Sequence, residues 1–404
     1  MLKNIFLSVV VILTITLNVT ALHAFLFDEK KFSILFVFII NLIYCIRYRT
    51  YKNPISKIEI NNLFLFLFIM LLEFFKCFLF LDSLAFISPI LFYLIFITFY
   101  YNLKDIFNEK SNIIYIFKSI NIIVFYNLVV ISLCFLLIQI NFITLGNPIE
   151  DLYIIKDNIT RNSNHFFPNN LSFVLINEFH DSRLSLTNGE FTGISHEPHL
   201  INYLINSLFL ISIFYRRPNI FVITLYIMFL ILSISLTALI VLSIVILFWF
   251  LFLKKTSKTY LYFFPILFLF VGLSFYFETK FNFLNFITNK MNDGSSNFTF
   301  NQLANIFYNS GTSLNFIGVD SIFSVTGSAD RFVTYNYGFT TSILIIMLFA
   351  RIFTKIYTSL KNIKINNEIY LILGCLYFFL HSLKISTLIF QFPLFYFILF
   401  ILYN

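Results

Sequence analysis

Apolar residues run along this chain in long unbroken stretches, not in the alternation of a half-buried strand. Each stretch approaches the ~20 residues that a helix needs to cross the hydrocarbon of a bilayer. Twelve are found, near residues 4–22, 32–46, 61–81, 84–103, 119–140, 199–215, 219–235, 236–253, 259–278, 335–353, 368–385 and 387–403. The second is short and the turn between the seventh and eighth is tight, so ten to twelve crossings are expected. Backbone groups in lipid must bond within their own segment, and continuous runs therefore favour helices over a barrel. Two long polar segments, 141–198 and 279–334, interrupt the pattern and hold most of the Gly, Asn, Ser, Asp and His found between runs. Aromatic and aliphatic residues occur throughout both, which predicts ordered loops docked on the membrane face. Phe300, Leu303, Ile306 and Phe307 have helical spacing, so part of the second loop is expected to form a short surface helix. The expected fold is all-α: one polytopic integral membrane domain over 1–404, a bundle of 10–12 transmembrane helices with two large extracytoplasmic loops.

Composition sharpens this reading. Of 404 residues, 59% are hydrophobic and 11% are charged, against about a quarter charged in an ordinary soluble domain. A water-soluble globule of this size lacks the charge to coat its surface. A cytosolic enzyme, a DNA-binding factor and a secreted disulfide scaffold are excluded. The formal charge of +8 does not indicate nucleic acid, because the basic residues cluster between apolar runs as a topology signal. With the N-terminus inside and the runs alternating, seventeen Lys and Arg fall inside and nine outside, with Lys76 within a run. Both termini are therefore expected in the cytoplasm, and both long loops outside. The first run has the length of a signal peptide, but the many runs behind it make it a retained first helix. Cys45, Cys77, Cys134 and Cys375 all lie in apolar runs without a CxxC pair, so they read as small core side chains.

Candidate chemistry concentrates where the first loop meets the sixth run. The segment from Arg183 to His199 reads Arg-Leu-Ser-Leu-Thr-Asn-Gly-Glu-Phe-Thr-Gly-Ile-Ser-His-Glu-Pro-His. Pro198 suits the first turn of a helix. A helix that starts at the outer face points free N–H groups and its positive dipole end outward, where an anion can bind. Arg183 can join them, since a guanidinium matches phosphate geometry in a bidentate manner. Glu197, His196 and His199 sit at the same helix start, and any of them is able to take a proton from a sugar hydroxyl. A Glu before a helix is equally an ordinary dipole-favoured cap, and the dipole weakens it as a base.

These residues carry a resemblance. Phe191-Thr-Gly-Ile-Ser-His-Glu-Pro198, opening an apolar helix, resembles the G-x-x-x-E-P signature of bacterial O-antigen and capsular polysaccharide polymerases, with the match beginning at Gly193. Leu232-Ser-Ile-Ser-Leu-Thr237 is similar to the family's Ser/Thr-rich outer turn. An upstream Arg, here Arg183, and an Arg before the helix that follows the second loop, here Arg331 ahead of Tyr335-Asn-Tyr-Gly338, also fit. The resemblance in layout covers nearly the whole chain, while the motif covers only a short part of it.

The resemblance implies a multi-pass glycosyltransferase of the bacterial inner membrane. Its substrates would be polyprenyl-pyrophosphate-linked oligosaccharides and its surroundings membrane lipid. A chain-length regulator is a further implied partner; nucleic acid, cofactor and metal are not. By this analogy Arg183 and Arg331 neutralise the leaving pyrophosphate, and Glu197 or His196 orients or deprotonates the acceptor hydroxyl; His199 and Lys384 are further candidates to bind the pyrophosphate. The related O-antigen ligases, which transfer finished polymer to a lipid A core, place a functional His in the second loop. Residues 279–334 contain none, which favours the polymerase, although His381 near the outer end of the eleventh run keeps the ligase open. A transporter or flippase of lipid-linked glycan is the rival from another class. It predicts internal repeats and Gly/Pro-broken helices, and neither pattern is found.

Other ionisable groups read two ways. Glu73 and Lys76 share a face of the third run, and either mark function or neutralise each other and fix packing. His381 and Lys384 have the same spacing, and Lys384 is able to join an anion pocket. Asp320 and Asp330 matter only if the second loop folds over Glu197. No HExxH motif, Cys/His cluster or Walker-type glycine loop occurs.

Overall fold

The structure, a computed structural model, describes residues 2–16, 30–48, 57–80, 87–107, 110–140, 145–148, 163–168, 175–179, 190–193, 198–233, 235–252, 338–362, 368–385 and 393–403. Eleven helices occur among the described residues. They are α1 (Leu2–Thr16), α2 (Lys30–Tyr48), α3 (Lys57–Phe80), α4 (Ile87–Phe107), α5 (Lys110–Gln139), α6 (Pro198–Tyr215), α7 (Ile220–Leu232), α8 (Leu236–Phe252), α9 (Gly338–Lys361), α10 (Glu368–Ile385) and α11 (Pro393–Tyr403). Each coincides with one apolar run of the sequence. The run at 259–278 and the second loop at 279–334, with its expected surface helix, lie outside the described residues. By length and composition, Ile113–Leu137 within α5 and Gly338–Lys361 are long and apolar enough to cross a membrane, and the other apolar helices are shorter.

Local chemistry sets the helix boundaries. Pro198 and Pro393 occupy first-turn positions, where the missing N–H costs nothing. Asn219 caps α7 by accepting from the Val222 N–H at 2.9 Å, a preferred N-cap interaction. The turn from α7 to α8 is as tight as its two serines predict: Ser233 closes α7, and Ser235 Oγ accepts from the Ala238 N–H at 3.4 Å. Within the helices, buried hydroxyls turn back onto their own backbone. Ser119, Ser207, Ser233 and Ser342 each donate to the carbonyl four residues earlier. That satisfies a polar group where no water is at hand.

Apolar residues line both the inside and the outside of the bundle. α11 is buried along nearly its whole length, from Pro393 to Leu402. It runs parallel to α4, as the Phe96–Tyr396 and Tyr100–Phe400 ring contacts show. The outward faces of α2 (Phe32, Leu35, Ile39, Ile43, Ile46) and α3 (Phe64, Phe68, Leu71, Phe75, Phe78) are apolar too. A face of that kind is unsuited to water.

One element departs from the all-α expectation. The first long loop contributes four short strands, β1 (Leu145–Pro148), β2 (Ser163–Pro168), β3 (Leu175–Phe179) and β4 (Glu190–Gly193). They form an antiparallel sheet in sequential order, with Phe166 opposite Ile176 and Leu175 opposite Gly193. The physical reason is length. Clusters such as His165-Phe166-Phe167 and Leu175-Ile176 are too short between their Asn, Ser and Pro neighbours to sustain a helix, but pairing satisfies their backbone. β4 packs on both α5 and α6, so this strand is docked on the helices. We call this the sheet end.

Candidate functional site

Gly193, the first residue of the sequence motif, is the last residue of β4 and is buried. Its φ of +60° lies in the left-handed region, which glycine adopts without penalty. A Cβ there would come within 2.9 Å of Ile131 Cδ1 and 3.4 Å of Asn127 Oδ1 and Ile201 Cγ1. The glycine therefore lets the loop backbone settle between α5 and α6 just before α6 begins.

α6 and α10 form the best-packed helix pair among the described elements. They run antiparallel. Tyr203 lies against Phe378 at 4.4 Å between ring centroids and against His381 at 5.7 Å. Asn206 meets Tyr377. Gly374 sits against the Ser207 carbonyl and Ile211, where a Cβ would stand 2.9 and 2.6 Å away. Small residues of this kind let helix backbones approach closely in lipid. Continued to the sheet end, this register brings Pro198 and His199 level with Lys384 and Ile385. Two of the candidate residues, His199 and Lys384, thus share one end of one helix pair. Glu197, which directly precedes Pro198 in sequence, lies outside the described residues, as do His196, Arg183, Arg331, Asp320 and Asp330.

Beneath this end lies a buried hydrogen-bonded chain. Asn202 Nδ2 donates to the Ser233 carbonyl at 2.9 Å and to Ser233 Oγ at 3.1 Å. Asn206 Nδ2 donates to Tyr377 Oη at 2.7 Å and to Asn202 Oδ1 at 3.2 Å. Tyr226 Oη donates to Asn206 Oδ1 at 2.8 Å, and Tyr377 Oη meets His381 Nδ1 at 3.1 Å. The chain joins α6, α7, the turn before α8, and α10. Tyr377 Oη thus accepts from Asn206 and bonds to His381 Nδ1, in a direction set by the imidazole tautomer. The His381 side chain is fully buried. Phe209 stacks on Tyr226 at 3.9 Å, closing the chain from below.

Sequence reasoning named His381 but passed over Asn202, Asn206, Tyr226 and Tyr377. A signal was there: two asparagines four apart in an otherwise apolar helix, matched by Tyr377 and His381 four apart in another.

A second polar knot lies near the sheet end of α3. Lys76 Nζ donates to Glu73 Oε1 at 2.8 Å and to Thr341 Oγ1 at 3.1 Å. Thr341 Oγ1 donates to Glu73 Oε1 at 2.9 Å, which closes a triangle. Glu73, Lys76 and Thr341 are all buried. The sequence left this pair between function and packing; the structure ties it to the first turn of α9.

No family model matches this chain, no curated protein resembles it significantly, and no solved structure shares a significant match with it.

Proposed function

We propose that the protein is a multi-pass membrane enzyme that polymerises surface-polysaccharide repeat units. It would transfer a growing glycan from polyprenyl pyrophosphate onto the next lipid-linked repeat unit, at the outer face of a bacterial inner membrane. The apolar outward faces of α2 and α3 support the membrane setting. So do three tyrosines that each lie under a basic side chain: Tyr48 with Arg47, Tyr115 with Lys118, and Tyr403 with Lys355. All three pairs fall on the side that the Lys and Arg count assigns to the cytoplasm, where tyrosine and basic anchors concentrate.

The observation that carries the enzymatic reading is the local build of the motif. Gly193 is docked, α6 starts at Pro198 immediately after Glu197, and His199 comes level with Lys384. In sequence Glu197 and His199 flank the first residue of this helix, whose dipole favours a negatively charged ligand.

In the proposed reaction the hydroxyl of the incoming repeat unit attacks the anomeric carbon of the growing chain. The new glycosidic bond forms as the bond to pyrophosphate breaks, and the hydroxyl proton passes to Glu197, or to His196. Arg183 and Arg331 neutralise the departing pyrophosphate, with His199 and Lys384 beside them. Fixed positive charge at the leaving group is worth most in the transition state, where that charge develops. The energy resides in the glycosyl–pyrophosphate bond, so no nucleotide sugar is needed. His381, which kept the ligase reading open, is fully buried and bonded to Tyr377. That placement favours the polymerase.

The test is made in cells. Arg183→Ala or Glu197→Ala should leave single repeat units on the lipid carrier or core while the protein remains in the membrane. Normal long chains from the double variant would refute the assignment. Loss of a flippase would instead strand lipid-linked units on the inner leaflet, and loss of a ligase would leave long polymer on its carrier.

A further inference from the structure

α9 has two faces, and packing accounts for only one. Ile345, Leu348, Ile352 and Ile356 are buried. The opposite ridge is exposed, and its character changes partway along the helix. Toward the sheet end it carries Ile343, Ile346 and Met347. Arg351, Thr354 and Thr358 continue it and are exposed too, with half-buried Lys355 beside them. Arg351, Thr354, Lys355 and Thr358 stand at i, i+3, i+4 and i+7, which places them on one helix face. The apolar part is short. From Gly338 to Ala350 the helix rises about 18 Å at 1.5 Å per residue, against ~30 Å for the hydrocarbon of a bilayer. In the same half of the bundle the outward residues of α2 are Ile43 and Ile46, and those of α3 are Phe64 and Phe68. A cation on such a surface is costly in lipid unless it reaches the interface or an anion. The sequences of α9 and α11 contain no Asp or Glu. Among the described residues the ion pair found is Glu73–Lys76, so neither Arg351 nor Lys355 has a carboxylate partner there. Tyr403 fixes the level of the two cations. Lys355 Nζ stands 5.9 Å from its ring centroid, and Arg351 lies within electrostatic reach of its hydroxyl. Tyrosines concentrate at the bilayer interface, which puts Lys355 at headgroup depth and Arg351 one turn, about 6 Å, nearer the hydrocarbon.

We infer that this ridge, with Tyr403 at its side, is a binding site for an anionic phospholipid of the cytoplasmic leaflet. The phosphate pairs with Arg351 and Lys355, and an acyl chain lies along Ile343, Ile346 and Met347. The order of the two parts selects the occupant. A lipid of the cytoplasmic leaflet has its phosphate at the inner surface and its chains directed toward mid-membrane, and the ridge passes from basic to apolar in the same direction. A lipid of the outer leaflet would set its phosphate against isoleucine. Charge selects the headgroup. A guanidinium grips two phosphate oxygens in a planar fork, whereas a zwitterionic headgroup brings an ammonium of its own beside Lys355. The short apolar stretch gives the site a purpose, because a phosphate drawn toward Arg351 thins the leaflet where α9 would otherwise be mismatched. The inference rests on the membrane setting and orientation above and not on the polymerase reaction.

The experiment is native mass spectrometry of the full-length protein in detergent, titrated with phosphatidylglycerol and, separately, with phosphatidylcholine of the same chains. Phosphatidylglycerol should form the tighter adduct. Arg351→Gln/Lys355→Gln should weaken that adduct by about 30-fold, since each basic residue beside an anionic headgroup contributes roughly five- to sixfold. Arg216→Gln/Arg217→Gln removes equal charge from exposed positions just after α6 and should leave the adduct unchanged. Neither pair belongs to the buried core, so both double variants should unfold at the parent's midpoint without lipid. Added phosphatidylglycerol should then raise the midpoint of the parent and not that of the Arg351/Lys355 variant. Equal losses in the two double variants would reduce the effect to general charge attraction and overturn the site, as would equal affinity for the two lipids. Displacement of the adduct by glycerol phosphate would show that a phosphate alone is held and that the apolar ridge takes no part, which also overturns the proposal. A protein that stays folded and monodisperse in buffer without detergent would refute the membrane setting, and the site with it.

Discussion

Asn206 has a single side chain and three partners, Tyr377, Tyr226 and Asn202, drawn from three helices. Each hydrogen bond contributes little by itself, about 0.6 kcal/mol on average between helices in a membrane. Deleting the shared node is different, because it strands several buried groups at once, and each unsatisfied group costs about 1–3 kcal/mol. Asn206→Leu should therefore lower the midpoint of thermal unfolding in detergent far more than Tyr377→Phe, which removes one hydroxyl. Equal midpoints for the two variants would show that the chain is not held at Asn206. Gly374 makes a complementary demand. An added Cβ meets the Ser207 carbonyl, which cannot swing aside as a side-chain tip can. Gly374→Ala should cost about 1–3 kcal/mol by overpacking, measured as the same thermal shift. A variant as stable as the parent would mean that α6 and α10 are farther apart than this geometry places them.

β4 and α6 belong together as one device. The strand ends in a left-handed glycine wedged between α5 and α6, and the helix begins at a proline shortly after. Gly193→Ala combines backbone strain with a contact at 2.9 Å, so it should displace the loop without touching any group that takes part in the chemistry. The expected result is a protein that inserts at normal abundance, retains its helical circular-dichroism signal and makes only short glycan chains. Full-length chains from this variant would separate the docked strand from activity. The elements themselves were readable to different degrees. Helices announced themselves because a crossing needs a long apolar run, and eleven runs coincide with described helices. The sheet did not, because its strands have four to six residues and exist only through pairing between distant positions. The head of α6 was legible from Pro198 and its flanking polar cluster. The chain below it was legible only as two polar pairs, each four apart; that they join was not, because hydrogen bonds such as Asn206 to Tyr377 join residues 171 positions apart.

Taken as a bundle, the molecule places many of its polar contacts at the sheet end. Among the described residues, the docked sheet, the serine turn after α7, the head of α6, the end of α10 and the triangle that joins α3 to α9 lie there, while a second buried cluster, Thr14, Asn41 and Asn102, lies toward the other end. The central claim is that the sheet end joins glycan repeat units at the expense of polyprenyl pyrophosphate. The most direct measurement is reconstitution of the purified protein in nanodiscs with lipid-linked repeat units as sole substrate, reading glycan length on a gel and released polyprenyl pyrophosphate by mass spectrometry. A ladder of chains is predicted, with one carrier released per unit added and both signals abolished by Glu197→Ala together with Arg183→Ala. The account would be contradicted by an active unaltered protein whose doubly substituted form builds the same ladder, or by a folded protein that lengthens no chain at all.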